Sequence, residues 1–210
     1  MELIESETFR EWCTTHSIGR SLRYPRSESL TYLPEPSIWY RYRPNTTPHG
    51  LAVFVGRALA LAAADTPLWA FPTWRGGRWW PVADWSDWGS QALAAVVRGV
   101  GVPKGFIGAI RFELAELPLV TLLLTSALQF ESAGFWELTV VPDHGRCIIY
   151  NEEDGDLIGV FPTESWLDSY TSALRKTGWN EPTEPDPRVS ETDPWLDLQR
   201  GPKRADGGAA

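Results

Sequence analysis

The alternation of apolar and polar residues is clearest in residues 135–178, where it predicts an antiparallel meander followed by a helix. Three short runs of aliphatic, β-branched and aromatic residues are separated by two clusters of turn-forming residues. In the first run, Leu138 and Val140 alternate with Glu137 and Thr139. Because successive side chains of a strand point to opposite faces, this strand is expected to have one buried face and one hydrated face.

The helix after the meander carries signals for both of its ends. Thr163 suits the N-cap position, and Gly178 suits the left-handed position that follows a helix. Trp166, Tyr170 and Leu174 recur at every fourth residue, so they predict an apolar stripe that packs on the sheet.

The rest of the chain alternates between helical and extended patterns. In chain order, the patterns predict a helix capped by Ser6 and running to about His16, a loop over 17–37 with room for a short extended piece, a strand over 38–43, a helix over 50–64, a hairpin over 68–82 that turns at Gly76-Gly77, a helix capped by Asp84 or Ser86, a strand over 106–112 and an apolar helix over 118–130. Beyond these elements, residues 181–210 are rich in proline and acidic residues, so a mostly disordered tail is expected there.

These elements indicate an α+β fold in which a mainly antiparallel sheet packs against helices, with residues 1–180 forming a single domain. Within it, residues 38–101 and 106–178 have similar orders of elements and similar Gly-Arg turns. One interpretation is a duplication into two similar βαββα halves. The other is that α+β proteins reuse such units and place glycine at turns in any case. Both interpretations stay open at this point.

The net charge of −8 is unevenly distributed along the chain. Residues 1–60 contain seven arginines and six acidic residues, residues 61–130 contain five bases and five acids, and residues 131–210 contain seven bases and sixteen acids. The acidity is therefore expected to belong to the meander, its helix and the tail. Such a field repels nucleic acid and attracts basic surfaces, so no nucleic-acid partner is expected.

Neither membrane insertion nor export is indicated by the sequence. No run of 18 apolar residues is present, and the acidic start of the chain lacks the positive and apolar regions of a signal peptide. Cys13 and Cys147 lie far apart in the chain. We expect both to be reduced, buried residues of a cytoplasmic protein without a membrane partner.

No catalytic, cofactor-binding or metal-binding site is predicted. His16, His49 and His144 lack the spacing of metal ligands, and the chain contains no phosphate-binding glycine loop and no dinucleotide-binding motif. His144 and Cys147 lie across one turn and could form a nucleophilic pair, but Cys147 is expected to face the core. The acidic segment 151–156 lacks carboxylates at the first and last positions of a calcium-binding loop.

Tryptophan is concentrated in one segment, because six of the twelve lie between residues 69 and 88. Most of these rings are expected to fill the core and to stack on arginine. Adjacent strand residues face opposite ways, so Trp79 and Trp80 cannot both point inward, and one of them is expected to be exposed or to lie against a helix. Trp79, Trp80 and the neighbouring Arg78 are candidate partner contacts, since Trp and Arg dominate binding hot spots.

A second candidate contact surface is acidic. Its members lie in or beside the meander and are Asp143, Glu152, Glu153, Asp154 and Asp156. Together with Glu164 and Asp168, they are expected to form one electronegative end of the molecule that docks on a basic partner protein.

A small, acidic, tryptophan-rich α+β protein without catalytic motifs resembles bacterial immunity proteins of polymorphic toxin systems. The resemblance covers residues 1–180 and includes the segment FWELTVVPDHGRCIIYNEEDGDLIGVF, which is similar to small bacterial domains of that kind. It implies stoichiometric neutralisation, in which the protein occludes the basic active-site surface of a toxin domain. It assigns a role to no individual residue.

Two other functions remain open. The Trp-rich hairpin 68–88 is a candidate pocket wall in a small-ligand-binding or enzymatic domain. Residues 194–198, Pro-Trp-Leu-Asp-Leu, are a candidate docking motif of an adaptor. Tight binding to the product of a neighbouring gene, stabilisation by a small molecule, and loss of binding on removal of the tail would distinguish the three functions.

Overall fold

The computed structural model describes residues 1–20, 30–34, 37–42, 48–73, 77–80, 88–129, 137–151 and 156–179. These residues form nine strands and five α-helices. In chain order they are β1 (Glu2–Glu5), α1 (Ser6–Thr15), β2 (Ile18–Arg20), β3 (Leu30–Tyr32), β4 (Ile38–Tyr42), α2 (Pro48–Ala63), β5 (Leu68–Pro72), α3 (Trp88–Gly99), β6 (Gly108–Phe112), a 3₁₀ turn at Leu114–Glu116, α4 (Leu117–Gln129), β7 (Leu138–Pro142), β8 (Ile148–Asn151), β9 (Leu157–Phe161) and α5 (Glu164–Lys176).

Seven of the strands form one antiparallel sheet in the order β1-β6-β5-β7-β8-β9-β4. The predicted meander is its β7-β8-β9 portion, so that prediction is confirmed. The outermost strands among the described residues are β1 on one side and β4 on the other. The α+β class with a mainly antiparallel sheet is likewise confirmed, and β1 enters the sheet without having been predicted.

One face of the sheet is covered by α2, α3, α4 and α5, which form the larger hydrophobic core. Alternate strand residues point into it, for example Ala70 on β5, Ile110 on β6 and Val140 on β7. The predicted apolar character of α4 agrees with its position, because seven of the ten residues from Val120 to Gln129 are buried, although Leu122 is 48% exposed. Burial of this apolar area is the main source of stability of such a fold.

The opposite face is covered by α1 and by the small β2-β3 sheet. Phe9 of α1 packs there against Trp69 and Phe71 of β5. This second layer corrects the prediction that β7 has a hydrated face, because Thr139 is fully buried and its hydroxyl lies 3.1 Å from that of Thr73. The strand is buried on both faces although its sequence alternates.

The helix-end predictions were correct for α5 and wrong for α1. Thr163 caps α5 and accepts a hydrogen bond from the backbone N–H of Trp166, and Gly178 has φ +93°. Ser6 is not a cap, because it is already the first residue of α1 and its hydroxyl has no hydrogen-bond partner in the described part of the chain. Glu5 occupies the N-cap position instead.

Trp166 is not part of the buried stripe of α5. Its ring is 40% exposed and lies 4.9 Å beneath the guanidinium of Arg146. Leu167 and Thr171 are buried beside Tyr170 and Leu174 instead. The stripe is rotated toward the next residue because a helix turns by 3.6 residues, whereas a spacing of four drifts around its surface.

Between residues 68–73 and 77–80, the described parts of the predicted hairpin 68–82, no strand ladder forms; residues 74–76 and 81–82 lie outside the described residues. Leu68, Trp69 and Ala70 of β5 are paired with β6 on one side and with β7 on the other. Beyond them, Gly77 donates its N–H to the carbonyl of Pro72 at 2.9 Å. Only an isolated bridge links Arg78 to Ile107. The first half of the proposed duplication therefore lacks its second strand among the described residues, and the duplication itself stays a prediction.

No helix in the described ranges is both long enough and apolar enough to span a membrane.

Candidate functional site

The β7-β8 turn, which carries Asp143, is held firmly by its neighbours. The Asp143 carboxylate accepts a hydrogen bond from the indole N–H of Trp69 at 2.7 Å and pairs with Arg111 at 3.3 Å. Arg111 also pairs with Glu113 at 2.7 Å. A carboxylate with both oxygens already engaged offers little to a partner, so Asp143 has a structural role in the turn.

His144, in the same turn, is fixed through both of its ring nitrogens. Nδ1 lies 3.0 Å from the backbone nitrogen of Arg146, which donates to it, and Nε2 lies 2.9 Å from the carbonyl oxygen of Ala62. A ring that accepts at Nδ1 and donates at Nε2 is neutral. Burial lowers the pKa of His144, and the positive charge of Arg146 acts in the same direction.

This geometry predicts that the protein loses stability in mild acid through His144. The folded pKa is depressed, so the unfolded chain takes up the proton first as the pH falls below about 6.5. Stability is therefore complete above that pH and declines as the pH falls through the folded pKa. Urea unfolding of the wild type and of His144→Gln at about pH 7.5 and about pH 5 measures this. The decline should be smaller in the variant, and equal declines would exclude His144 as the cause.

His144 does not form a catalytic pair with Cys147. Cys147 faces the helix-covered core together with Ile149, as the sequence predicted, and is buried. Burial raises the pKa of its thiol to about 12, and the same holds for Cys13. A nucleophilic cysteine requires a lowered pKa and access to substrate, so neither thiol fits that chemistry.

Of the acidic surface predicted around the meander, the described members Asp143 and Asp156 are not brought together. Asp143 and Glu164 lie at the end of the sheet where β7 and β9 finish, whereas Asp156 precedes β9 at the other end. At about 3.3 Å per residue, the strands hold these ends on the order of 15 Å apart. Asp156 is only 4% exposed and lies 3.6 Å from Arg41. Glu152, Glu153 and Asp154 lie outside the described residues.

Trp79 is not available as a partner contact. It is 0% exposed, and its indole N–H donates to the carbonyl oxygen of Gly108 at 2.9 Å. Trp80 is half-buried against α3 and its following loop, where it donates to the carbonyl of Pro103 at 2.6 Å and lies 5.9 Å from the guanidinium of Arg98. Arg78 is exposed. The prediction that only one of the two tryptophans points inward agrees with this arrangement.

A different acidic surface lies along the β1 side of the sheet, and we call it the acidic β1 edge. Its members are Glu2 and Glu5 on β1, Glu7 and Glu11 on α1, and Glu113 and Glu116 in the 3₁₀ turn after β6. Glu2 is paired across the sheet with Arg111, which places the 3₁₀ turn beside the start of β1. The amino group of Met1 forms an ion pair with Glu116, so the turn and the strand are in contact.

The acidic β1 edge also exposes apolar side chains. Leu3 of β1 and Leu114 of the 3₁₀ turn are each 40% exposed. Three positive groups accompany the glutamates: the amino group of Met1, which pairs with Glu116, the exposed Arg10, and Arg111, which is engaged with Asp143 and Glu113. The surface thus carries exposed apolar side chains on the same elements as four of its glutamates.

Sequence reasoning missed this surface although its signal is visible. Four glutamates lie in the first eleven residues. Over residues 1–60 they are offset by arginines such as Arg20, Arg41 and Arg57, which the fold places on other elements, on β2, β4 and α2 respectively. The net charge counted over residues 1–60 is therefore close to zero, although the fold brings the glutamates together on one surface.

Within the described ranges, no three His, Cys, Asp or Glu side chains are grouped so that they could hold a metal ion. In comparisons with known proteins, no family model, no curated protein and no solved structure matches this chain.

Proposed function

We propose that this chain is a non-catalytic protein-binding module of the immunity type that its sequence resembles. It neutralises a cognate toxin by covering a basic surface of the toxin domain. The observation that supports this proposal is the acidic β1 edge, which carries two exposed leucines and six glutamates, two of them, Glu113 and Glu116, in ion pairs with Arg111 and the amino group of Met1. A toxin that acts on an anionic substrate carries a basic cleft, and this surface is complementary to such a cleft.

The charge of the edge favours rapid encounter with a basic partner. Glutamates that lie near one another with few bases between them produce a negative potential that extends beyond the surface, and such a potential accelerates association with a positive patch. Leu3 and Leu114 supply apolar area that loses water in the complex. Charge thus supplies association rate, and the leucines supply part of the affinity.

The acidic β1 edge replaces the acidic surface of the meander as the proposed contact surface. Asp143 and Asp156 are engaged within the protein and lie at opposite ends of the strands, so they are not included in the proposed surface. The candidate pocket wall at 68–88 is not adopted, because Trp79 is a core residue; residues 74–76 and 81–87 of that segment lie outside the described residues. The docking motif at 194–198 lies outside the described residues.

A pair of matched charge reversals tests the proposal. Glu7 and Glu11 are exposed and lie four residues apart on α1, with Glu7 in its first turn. Glu164 and Asp168 are exposed and lie four residues apart on α5, with Glu164 in its first turn. Changing both members of a pair to lysine alters the net charge by the same amount at one surface or the other.

Binding to the toxin encoded by the adjacent gene is measured by calorimetry, and survival is measured in cells that express the toxin. We expect one-to-one binding by the wild type and a loss of affinity of about 100-fold in the Glu7/Glu11 variant. The Glu164/Asp168 variant should retain affinity within about threefold. Equal losses in the two variants would show that net charge rather than this surface matters. Absence of binding by the wild type would remove the proposal.

A further inference from the structure

Among the residues that the structure describes, the outer side of β1 has no backbone partner. β1 is the last strand of the sheet on its side, and in the described part of the chain no strand lies against its outer edge. Three of its four residues are exposed, with Ile4 half-buried. A strand edge of this kind presents a row of N–H and C=O groups to which another extended chain can be added.

The register identifies which groups point outward. The N–H of Gly108 donates to the carbonyl of Gly77 at 2.9 Å, and its carbonyl accepts from the indole of Trp79, so Gly108 directs both groups away from β1. In an antiparallel ladder, successive residues direct these groups to alternate sides. Ala109 and Arg111 therefore face β1, and their partners across the ladder are Ile4 and Glu2.

It follows that Glu2 and Ile4 use their backbone groups to hold β1 in the sheet. The alternate residues, Leu3 and Glu5, direct their N–H groups outward, and Leu3 also presents its carbonyl. Leu3 thus offers one complete donor and acceptor pair to an incoming strand. Its side chain, 40% exposed, lies on the helix-covered side of the sheet together with that of Ile110 opposite.

Charge determines which strand can be added. A second copy of β1 would place glutamates opposite glutamates or leave them without counter-charges, and like charges opposed across a ladder are destabilising. A basic segment places lysine or arginine within about 5 Å of Glu2 and Glu5 at the Cβ atoms. Because Glu2 and Glu5 are three residues apart, they lie on opposite faces of β1, so a partner with bases three residues apart can meet both.

We propose that β1 is a docking strand, and that an extended segment of the partner, with lysine or arginine at every third position, adds to its outer edge. This inference rests on the proposed function for the nature of the partner, but its geometry can be tested without the toxin. The probe is a fluorescein-labelled peptide in which lysine occupies every third position and valine and threonine occupy the others. A peptide with glutamate in place of lysine is the charge control.

Three variants separate the contribution of the Leu3 backbone N–H to peptide binding from the contribution of the Leu3 side chain. Leu3→Pro removes the outward N–H and keeps the pairing of Glu2 and Ile4 with β6; proline is tolerated on edge strands whose N–H faces solvent. Leu3→Ala removes most of the side chain and keeps the N–H. Ile4→Pro removes an N–H that bonds to β6. Its melting temperature is expected to fall, and this fall serves as the reference for a variant in which β1 itself is damaged.

We expect the lysine peptide to bind the wild type and the glutamate peptide not to bind. Leu3→Pro should weaken binding about tenfold or more, and Leu3→Ala by about threefold or less, with melting temperatures near that of the wild type. Bound lysine peptide should also slow hydrogen exchange at the Leu3 amide. Binding by Leu3→Pro equal to that of the wild type, or no binding of the lysine peptide to the wild type, would overturn strand addition.

The two proposals fail in different ways. If the toxin binds and Leu3→Pro binds it equally well, the protein-binding function holds and strand addition is wrong. If the toxin does not bind, but the lysine peptide binds in a manner that depends on the Leu3 amide, the docking strand holds and the immunity function is wrong.

Discussion

Replacement of Trp79 with alanine is expected to lower the free energy of unfolding by about 3–5 kcal/mol. The side chain is 0% exposed and is among the largest that are fully buried. Its removal leaves a cavity and also leaves the carbonyl of Gly108 without the indole donor that lies 2.9 Å away. Both losses act in the same direction, since a cavity and an unpaired buried acceptor each destabilise the folded state.

Two further variants separate these contributions. Trp79→Phe retains most of the volume and removes the donor, so about 1–2 kcal/mol of destabilisation is expected. Trp80→Ala removes a neighbouring ring that is only half-buried, and we expect it to cost clearly less than Trp79→Ala. Urea unfolding followed by circular dichroism measures all three. A cost for Trp79→Ala no greater than that for Trp80→Ala would contradict the assignment of Trp79 to the core.

The hairpin predicted around Trp79 rested on local strand pairing. Two apolar segments around Gly76-Gly77 have the local pattern of a hairpin, and local pattern is all that a single sequence supplies. The fold instead brings β6 and β7, distant in the chain, to the two sides of β5. Competition between local and long-range pairing cannot be resolved from residue types, whereas the same local reasoning succeeded for β7-β8-β9, whose partners are adjacent in sequence.

Helix prediction was more accurate because its determinants are local. The apolar periodicity that predicts α2, α3, α4 and α5 can be read from the residues of each helix alone. Thr163 and Gly178 end α5 through backbone groups only a few residues away. Ser6 shows the limit of this reasoning. A cap requires an extended backbone at the correct position, and that position is occupied by Glu5, the last residue of β1.

The candidate site was the least predictable part of the protein. Counting charged residues along the sequence assigned the acidity to residues after 130. In the fold, however, the direction of the strands places Asp143 and Asp156 at opposite ends of the sheet. The acidic β1 edge combines residues from two regions of the chain, because Glu113 and Glu116 join Glu2 only through the pairing of β1 with β6. Charge that is dispersed in sequence can be concentrated by topology, and only the sheet order reveals this.

Gly108→Ala is expected to release β1 from the sheet, which links the fold to the proposed docking strand. Gly108 has φ +152°, and a Cβ built there would lie 2.1 Å from the carbonyl oxygen of Ile4. That contact is with backbone of the adjacent strand, so it cannot be relieved by rotation of a side chain. The ladder between β1 and β6 must open or shift, and we expect a destabilisation of about 3 kcal/mol.

Hydrogen exchange of individual amides measures the loss of pairing between β1 and β6. The amides of Glu2 and Ile4, which the register assigns to the ladder with β6, should lose protection in Gly108→Ala, while those of β8 and β9 keep most of theirs. Gly99→Ala is the matched control, because a Cβ at Gly99, the last residue of α3, has nothing within 4 Å. It should be neutral or stabilise by up to about 1 kcal/mol. Retained protection of Ile4 in Gly108→Ala would contradict the pairing of β1 with β6, and with it the assignment of Leu3 to the open edge.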